Sequence, residues 1–306
     1  MKNAVLNTRL ESKTKGKFHL VISGGGIKAL IAGLGAIMGL HSKFKWKTIG
    51  AVSGGTIPAV FYAADLSLRR MLSLMIAYEF ESLVQRIEHP LNVIRHYLGQ
   101  KSGEVIPMRA IMCSHSLGEL IDKYVPEWPA KLWIMAAAEV PGKGRCQVLF
   151  TAKGIFLYEA NGTCTKLSDK PAPVGLAVRA SIAIPGVIGA VHFMDMYLFD
   201  GMLTWDGRMP IGVVARHFKV PCWKIVAVNI DGNCKKFVPR LQKRYMEYWR
   251  GVTTSNIKTL SDWAAEGVKV IDLDIDEIGA LELELTAAQK KAAVRKAYEL
   301  VGDCMP

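Results

Sequence analysis

At 306 residues the chain is long enough for one large α/β domain or two ordinary ones, and half of its residues are hydrophobic. A core of useful size can therefore be buried without disulfides or a structural metal. Charged residues make up 22%, with no acidic or serine-rich tract, which excludes long disorder, whereas the formal charge of +12 admits attraction to anionic lipid headgroups or nucleic acid, or only a solvated basic surface.

Met1 to Phe18 is polar and Lys-rich, without the apolar run of a secretory signal; residues 1–17 read as a polar N-terminal segment. His19-Leu20-Val21-Ile22 is a short apolar strand that breaks at Gly24-Gly25-Gly26. Ile27, Leu30, Ile31, Leu34, Ile37 and Met38 then fall at helical spacing. Ala29 to Leu40, the longest apolar stretch, is short of the roughly 20 residues that span a bilayer. The expectation is a cytoplasmic protein whose membrane contact is peripheral. Thr48 to Val52 reads as a second buried strand ending at Ser53, and Pro58 to Ala64 resumes a helical composition. Residues 66–103 read as a helical, lid-like insertion. Trp133 to Ala136 is a strand, and Gln147 to Thr151 with Ile155 to Tyr158 forms a hairpin turning at Lys153-Gly154. Met196 to Phe199, Ile225 to Asn229 and Val268 to Ile275 add strands, and Thr286 caps a closing helix to Val301. Strands alternating with helices predict a mostly parallel sheet covered on both faces, with ligands beyond the carboxyl ends of the strands.

Three segments in that place carry chemistry. Gly24-Gly25-Gly26-Ile27-Lys28 lies between a strand and a helix, where glycines permit a tight turn and the helix N-terminus directs N–H groups at one spot. Such a turn suits an oxyanion or a phosphate. No Gly-Lys-Ser/Thr follows, and the glycine spacing misses the dinucleotide pattern. Ala51-Val52-Ser53-Gly54-Gly55 places a serine among small residues at a strand-to-helix turn, as a nucleophile elbow requires. The Gly54 N–H is a natural oxyanion donor; a serine that merely caps the helix is the alternative. In Tyr197-Leu198-Phe199-Asp200-Gly201 an apolar strand delivers a carboxylate at its end. Asp is a weak base, with a reference pKa of about 3.9, unless burial and a hydroxyl partner tune it.

In order and spacing these segments resemble the patatin-like phospholipase family, over about His19 to Gly302. Ala180 to Gly186 is similar to the segment that family carries before its Asp-Gly, and Val270 to Gly302 to its terminal strand and helix. The resemblance implies one domain over 18–302, a three-layer α/β/α sandwich with a mostly parallel central sheet. It implies a Ser-Asp dyad: Ser53 attacks an ester carbonyl, Asp200 takes its proton, and Gly24, Gly25, Gly26 and Gly54 hold the oxyanion. Lys28 stands where the family has Arg or Lys, as a substrate-facing or a structural cation. Phospholipid at a membrane surface is the implied partner, with anionic headgroups favoured and nucleic acid not expected. No cofactor and no metal are implied. Ala29, Ala51 and Met202 replace the small motif residues usual there, and Met202 is placed to crowd the dyad.

Two rivals compete for the base. Asp206-Gly207 is a second Asp-Gly, but it does not end an apolar strand. A Ser-His-Asp triad in α/β-hydrolase order needs a histidine after the acid, and only His217 follows. The other histidines, and the cysteines at 113, 146, 164, 222, 234 and 304, show no metal-ligand spacing. Two basic-aromatic stretches bear on lipid binding: Lys43 to Lys47, and Lys235 to Arg250 with Phe237, Leu241, Tyr245 and Trp249 at helical intervals.

Overall fold

A computed structural model describes residues 17–86, 112–230, 258–280 and 282–304. The first half of the chain gives β1 (Lys17–Ile22), α1 (Gly26–Leu40), β2 (Lys45–Val52), a 3₁₀ turn (Ser53–Gly55) and α2 (Thr56–Ala63). There follow α3 (Leu68–Ala77), α4 (Phe80–Leu83), β3 (Gln85–Arg86), β4 (Met112–Cys113) and α5 (His115–Tyr124). Next come β5 (Leu132–Val140), β6 (Gly144–Thr151), β7 (Gly154–Tyr158), β8 (Cys164–Ser168) and α6 (Val174–Ser181). The chain continues through β9 (Val191–Phe193), β10 (Met196–Asp200), α7 (Ile211–Phe218) and β11 (Ile225–Ile230), then α8 (Leu260–Ala265), β12 (Lys269–Leu273) and α9 (Ala287–Cys304).

The main sheet runs β12-β11-β1-β2-β5-β6-β7-β8, with β10 attached to β5 and β9 to β10. It is mixed. The parallel character expected from the sequence is confined to β12-β11-β1-β2-β5, while β6, β7, β8, β9 and β10 pair antiparallel. The parallel strands are buried on both faces, so β1 and β11 are mostly apolar, with His19 and Asn229 as their buried polar residues. One core cluster takes in α1, α2, α5, α6 and α9; the other lies across the sheet under α7 and α8. The small residues of α1 let α9 come close: a Cβ on Gly39 would sit 2.8 Å from Val301 Cγ1. Thr286 caps α9 as expected, its Oγ1 accepting from the Gln289 N–H at 3.2 Å.

β5 is shared along one edge by two strands. Its first half, Leu132 to Met135, pairs in parallel with β2 up to Val52. Its second half, Ala136 to Glu139, pairs antiparallel with β10, Asp200 standing opposite Ala136. β2 and β10 therefore meet head-on, and each ends where the other does.

The Lys43 to Lys47 stretch enters β2. The two-residue period of β2 turns Trp46 inward, 8% exposed, and Lys45 and Lys47 outward. Phe44 packs on Phe18 and Trp46, with ring centroids 4.9 and 5.1 Å away. This stretch lies at the end of β2 away from Ser53. The stretch Lys235 to Arg250, and residues 87–103 of the expected insertion, lie outside the described residues; 66–86 form α3, α4 and β3.

Candidate active site

The head-on meeting of β2 and β10 brings together side chains 147 residues apart. Ser53 Oγ donates to Asp200 Oδ2 at 2.6 Å, and both residues are buried. Ser53 follows the last residue of β2 with φ +53, a left-handed conformation uncommon for a residue with a Cβ. Three hydrogen bonds hold it there. Its N–H donates to Ser181 Oγ at 2.9 Å, Ser181 Oγ donates to the Met135 carbonyl at 2.6 Å, and Thr56 Oγ1 donates to the Ser53 carbonyl at 2.6 Å. Ser181, fully buried at the end of α6, thus ties the elbow to β5. Sequence reading placed Ser181 in a family-like segment without giving it a role; its partners are far away in the chain, and nothing local signals them.

Asp200 is fixed at both ends. Its N–H donates to the Ala183 carbonyl at 2.9 Å, and its Oδ1 accepts from the Met202 N–H at 2.9 Å. Burial raises its carboxyl from 3.8 to about 7, an effect that the Ser53 and Met202 hydrogen bonds only partly offset. Such a group changes protonation state near neutral pH, which suits it to take and return a proton.

The glycine loop packs against the elbow, backbone to backbone. A Cβ on Gly54 would collide with the carbonyl oxygen of Gly26, and one on Gly24 would lie 3.0 Å from Ser53 Cβ. Gly25 and Gly26 have φ +152 and +61. Among the described residues, the N–H groups of Gly25, Gly26 and Gly54 have no acceptor. With the N-terminus of α1 they form a donor cluster beside Ser53. Gly24 is corrected: its N–H donates to the Arg208 carbonyl at 3.0 Å, so in this conformation it shapes the loop and offers no oxyanion donor. Met202 does crowd this spot. Its Sδ and Cγ would lie 2.7 and 2.8 Å from a Cβ on Gly24, yet the Ser53–Asp200 hydrogen bond stays intact.

The remaining candidates fall elsewhere. Lys28 is 2% exposed in the first turn of α1, makes no hydrogen bond or ion pair among the described residues, and does not line the cavity at Ser53. Asp206 pairs with Arg216 at 3.0 Å and has no contact with Ser53. His217 Nδ1 shares a hydrogen bond with Tyr158 Oη at 2.6 Å, between Phe156 and Phe218. Among the described residues no cluster of His, Cys, Asp and Glu is arranged to hold a metal.

A cavity of about 110 Å³ opens on Ser53 and Gly54 from the α1 side. Ile27, Leu30, Phe61, Met75, Leu117 and Ile121 are among its walls, and none of its described lining residues is charged. This suits a long apolar group with its reacting carbon held at Ser53 Oγ.

Residues 20–208 match the family model described as patatin-like phospholipase. Among solved structures, the crystal structure of VipD from Legionella pneumophila is similar, with 13% identity and a TM-score of 0.46, over 96% of this chain and 69% of that one. Among curated proteins none matches. No helix among the described residues is long and apolar enough to cross a membrane.

Proposed function

This chain belongs to the patatin-like phospholipase family, a family of lipid acyl hydrolases, and on that premise we propose that it cleaves fatty acyl esters of glycerophospholipids or lysophospholipids. The observation that carries the reading is the 2.6 Å hydrogen bond from Ser53 to Asp200 beside a cavity whose described lining residues carry no charge. Ser53 Oγ attacks the acyl carbonyl as Asp200 Oδ2 takes its proton. The negative charge on the former carbonyl oxygen falls to the N–H groups of Gly25, Gly26 and Gly54. Collapse breaks the ester bond, and the proton on Asp200 passes to the departing alcohol. Water then attacks the acyl-Ser53 ester, Asp200 again taking the proton and returning it to Ser53. The acyl chain lies along Leu30 and Phe61, each buried methylene contributing about 0.8 kcal/mol; the headgroup stays at the membrane surface.

Mass spectrometry of mixed bilayers tests this. Wild type should release free fatty acid with lysophospholipid or its deacylated product, and Ser53→Ala should not. Equal release by both proteins would end the reading.

The pH profile tests the base. Asp200 works ionised, and its carboxyl titrates at about 7. With a soluble ester, kcat/KM should rise with pH to a plateau, with a midpoint near that value. A flat profile, or one that falls as pH rises through 7, would take the role from Asp200.

One observation favours a second reading, a lipid-binding or effector-activated form of the same site. Met202 lies against Gly24, and Ser53 is only 1% exposed. A fluorophosphonate probe separates the two, since a working dyad is labelled at Ser53 without any addition.

A further inference from the structure

Every strand of the parallel half of the sheet starts at a lysine. In spatial order β12 begins with Lys269, β11 is preceded by Lys224, β1 begins with Lys17, β2 with Lys45 and then Lys47, and β5 is preceded by Lys131. Neighbouring strands lie about 4.8 Å apart, so the row extends for roughly 19 Å. Lys17 and Lys45 are direct register partners, a like-charge pairing that costs stability. Among the described residues none of the six forms an ion pair.

Two of the six cations rest on aromatic rings. Lys269 Nζ lies 5.6 Å from the ring centres of both Phe18 and Phe44, and Lys224 Nζ lies 4.9 Å from that of Trp223, itself 55% exposed. The positive field reaches into the sheet: burial first, then Lys47 and Lys224, lowers His19 to about 4. A repulsive row with no counterion in the described fold, beside an exposed tryptophan, has the composition of a binding surface.

Its position selects the partner. β2 runs eight residues from Lys45 to Val52, about 26 Å at about 3.3 Å per residue. A bilayer held on the lysine row would leave Ser53 about that far away, at the other end of the sheet. On the proposed reading, lipid meets Ser53 at the opposite pole, where β2 ends. We infer that the lysine edge, Lys17, Lys45, Lys47, Lys131, Lys224 and Lys269 with Trp223, docks the acidic face of a protein partner while the catalytic pole stays free. The inference rests on the proposed site only for that direction, and its test reads binding, so its failure leaves the hydrolase reading untouched.

The probe is a fluorescent oligo-glutamate peptide, followed by anisotropy at physiological salt. Binding to wild type should weaken at least about tenfold in Lys45→Glu/Lys47→Glu/Lys131→Glu. It should change little in Lys166→Glu/Lys170→Glu/Lys291→Glu, which reverses the same number of exposed charges elsewhere. If the first variant does not fold, neutral Lys45→Ala/Lys47→Ala/Lys131→Ala should weaken binding in the same direction. Equal loss in the edge and control variants would reduce the effect to net charge and overturn the proposal. So would no peptide binding by wild type. Phosphatidylserine vesicles decide the rival: if the edge variants lose vesicle binding and keep peptide binding, the surface is a lipid one and the proposal fails.

Discussion

Ser53→Ala and Asp200→Asn should each lower ester hydrolysis by about 10⁴-fold or more, and the double variant should be little worse than either. On the proposed mechanism the nucleophile and its base act as a unit through one hydrogen bond of 2.6 Å, so removing the second partner removes nothing further. Steady-state rates on a soluble ester check this. Activity kept in Asp200→Asn and lost in Asp206→Asn would move the base, and loss in His217→Ala at unchanged stability would bring back a triad. Stability should go the other way. The folded protein holds the Asp200 proton up to about pH 7, whereas the unfolded chain releases it near 3.8. The group's contribution is therefore fully present below about pH 4 and is lost as pH rises to about 7. Asparagine cannot ionise, so Asp200→Asn should melt higher than wild type at pH 8, by on the order of a few kcal/mol, with the difference closing toward pH 4. A variant less stable than wild type at pH 8 would mean that the carboxylate is stabilised by groups outside the described residues.

Gly54→Ala should lower kcat/KM by about 100-fold or more and lower Tm as well. A Cβ there would lie 2.7 Å from the Gly26 carbonyl carbon and 3.1 Å from its Cα, all rigid backbone. Elbow and glycine loop would separate, and the donors would leave the oxyanion. Gly24→Ala meets mainly the end of a flexible side chain, Met202 Sδ at 2.7 Å, so its loss should be smaller. Adding Met202→Ala to Gly24→Ala should recover part of it. Near wild-type rates for Gly54→Ala would show that the loop and the elbow are not in contact during turnover.

The parallel half of the sheet was legible because its buried strands are mostly apolar and because Gly24 to Gly26 and Ser53 each follow one; Asp200 was legible because it ends the apolar β10. The antiparallel half was less so. β8 is largely exposed and polar, and β9 is three residues long, so neither carries a two-residue alternation. The pairing of β10 with β5 is tertiary, and so are the bonds that give Ser181 its place and occupy the Gly24 N–H. In Lys43 to Lys47 composition alone did not say which way each side chain points; strand alternation decides that, and it puts Trp46 in the core.

The two strands that meet along β5 make catalytic alignment a matter of bookkeeping by whole residues. A slip of β10 by one position would carry Asp200 about 3.3 Å along the edge and turn its carboxyl to the opposite face of the sheet. Nothing at Ser53 could correct such an error. The count is set by the pairing of β10 with β5, and β10 enters it from a two-residue connection to β9, where Met194 and Asp195 both have positive φ (+49 and +58), as a tight primed hairpin turn requires. The 2.6 Å hydrogen bond from Ser53 to Asp200 thus depends on strand register along β5, and a residue gained or lost within β10 should break it while leaving both side chains in the chain.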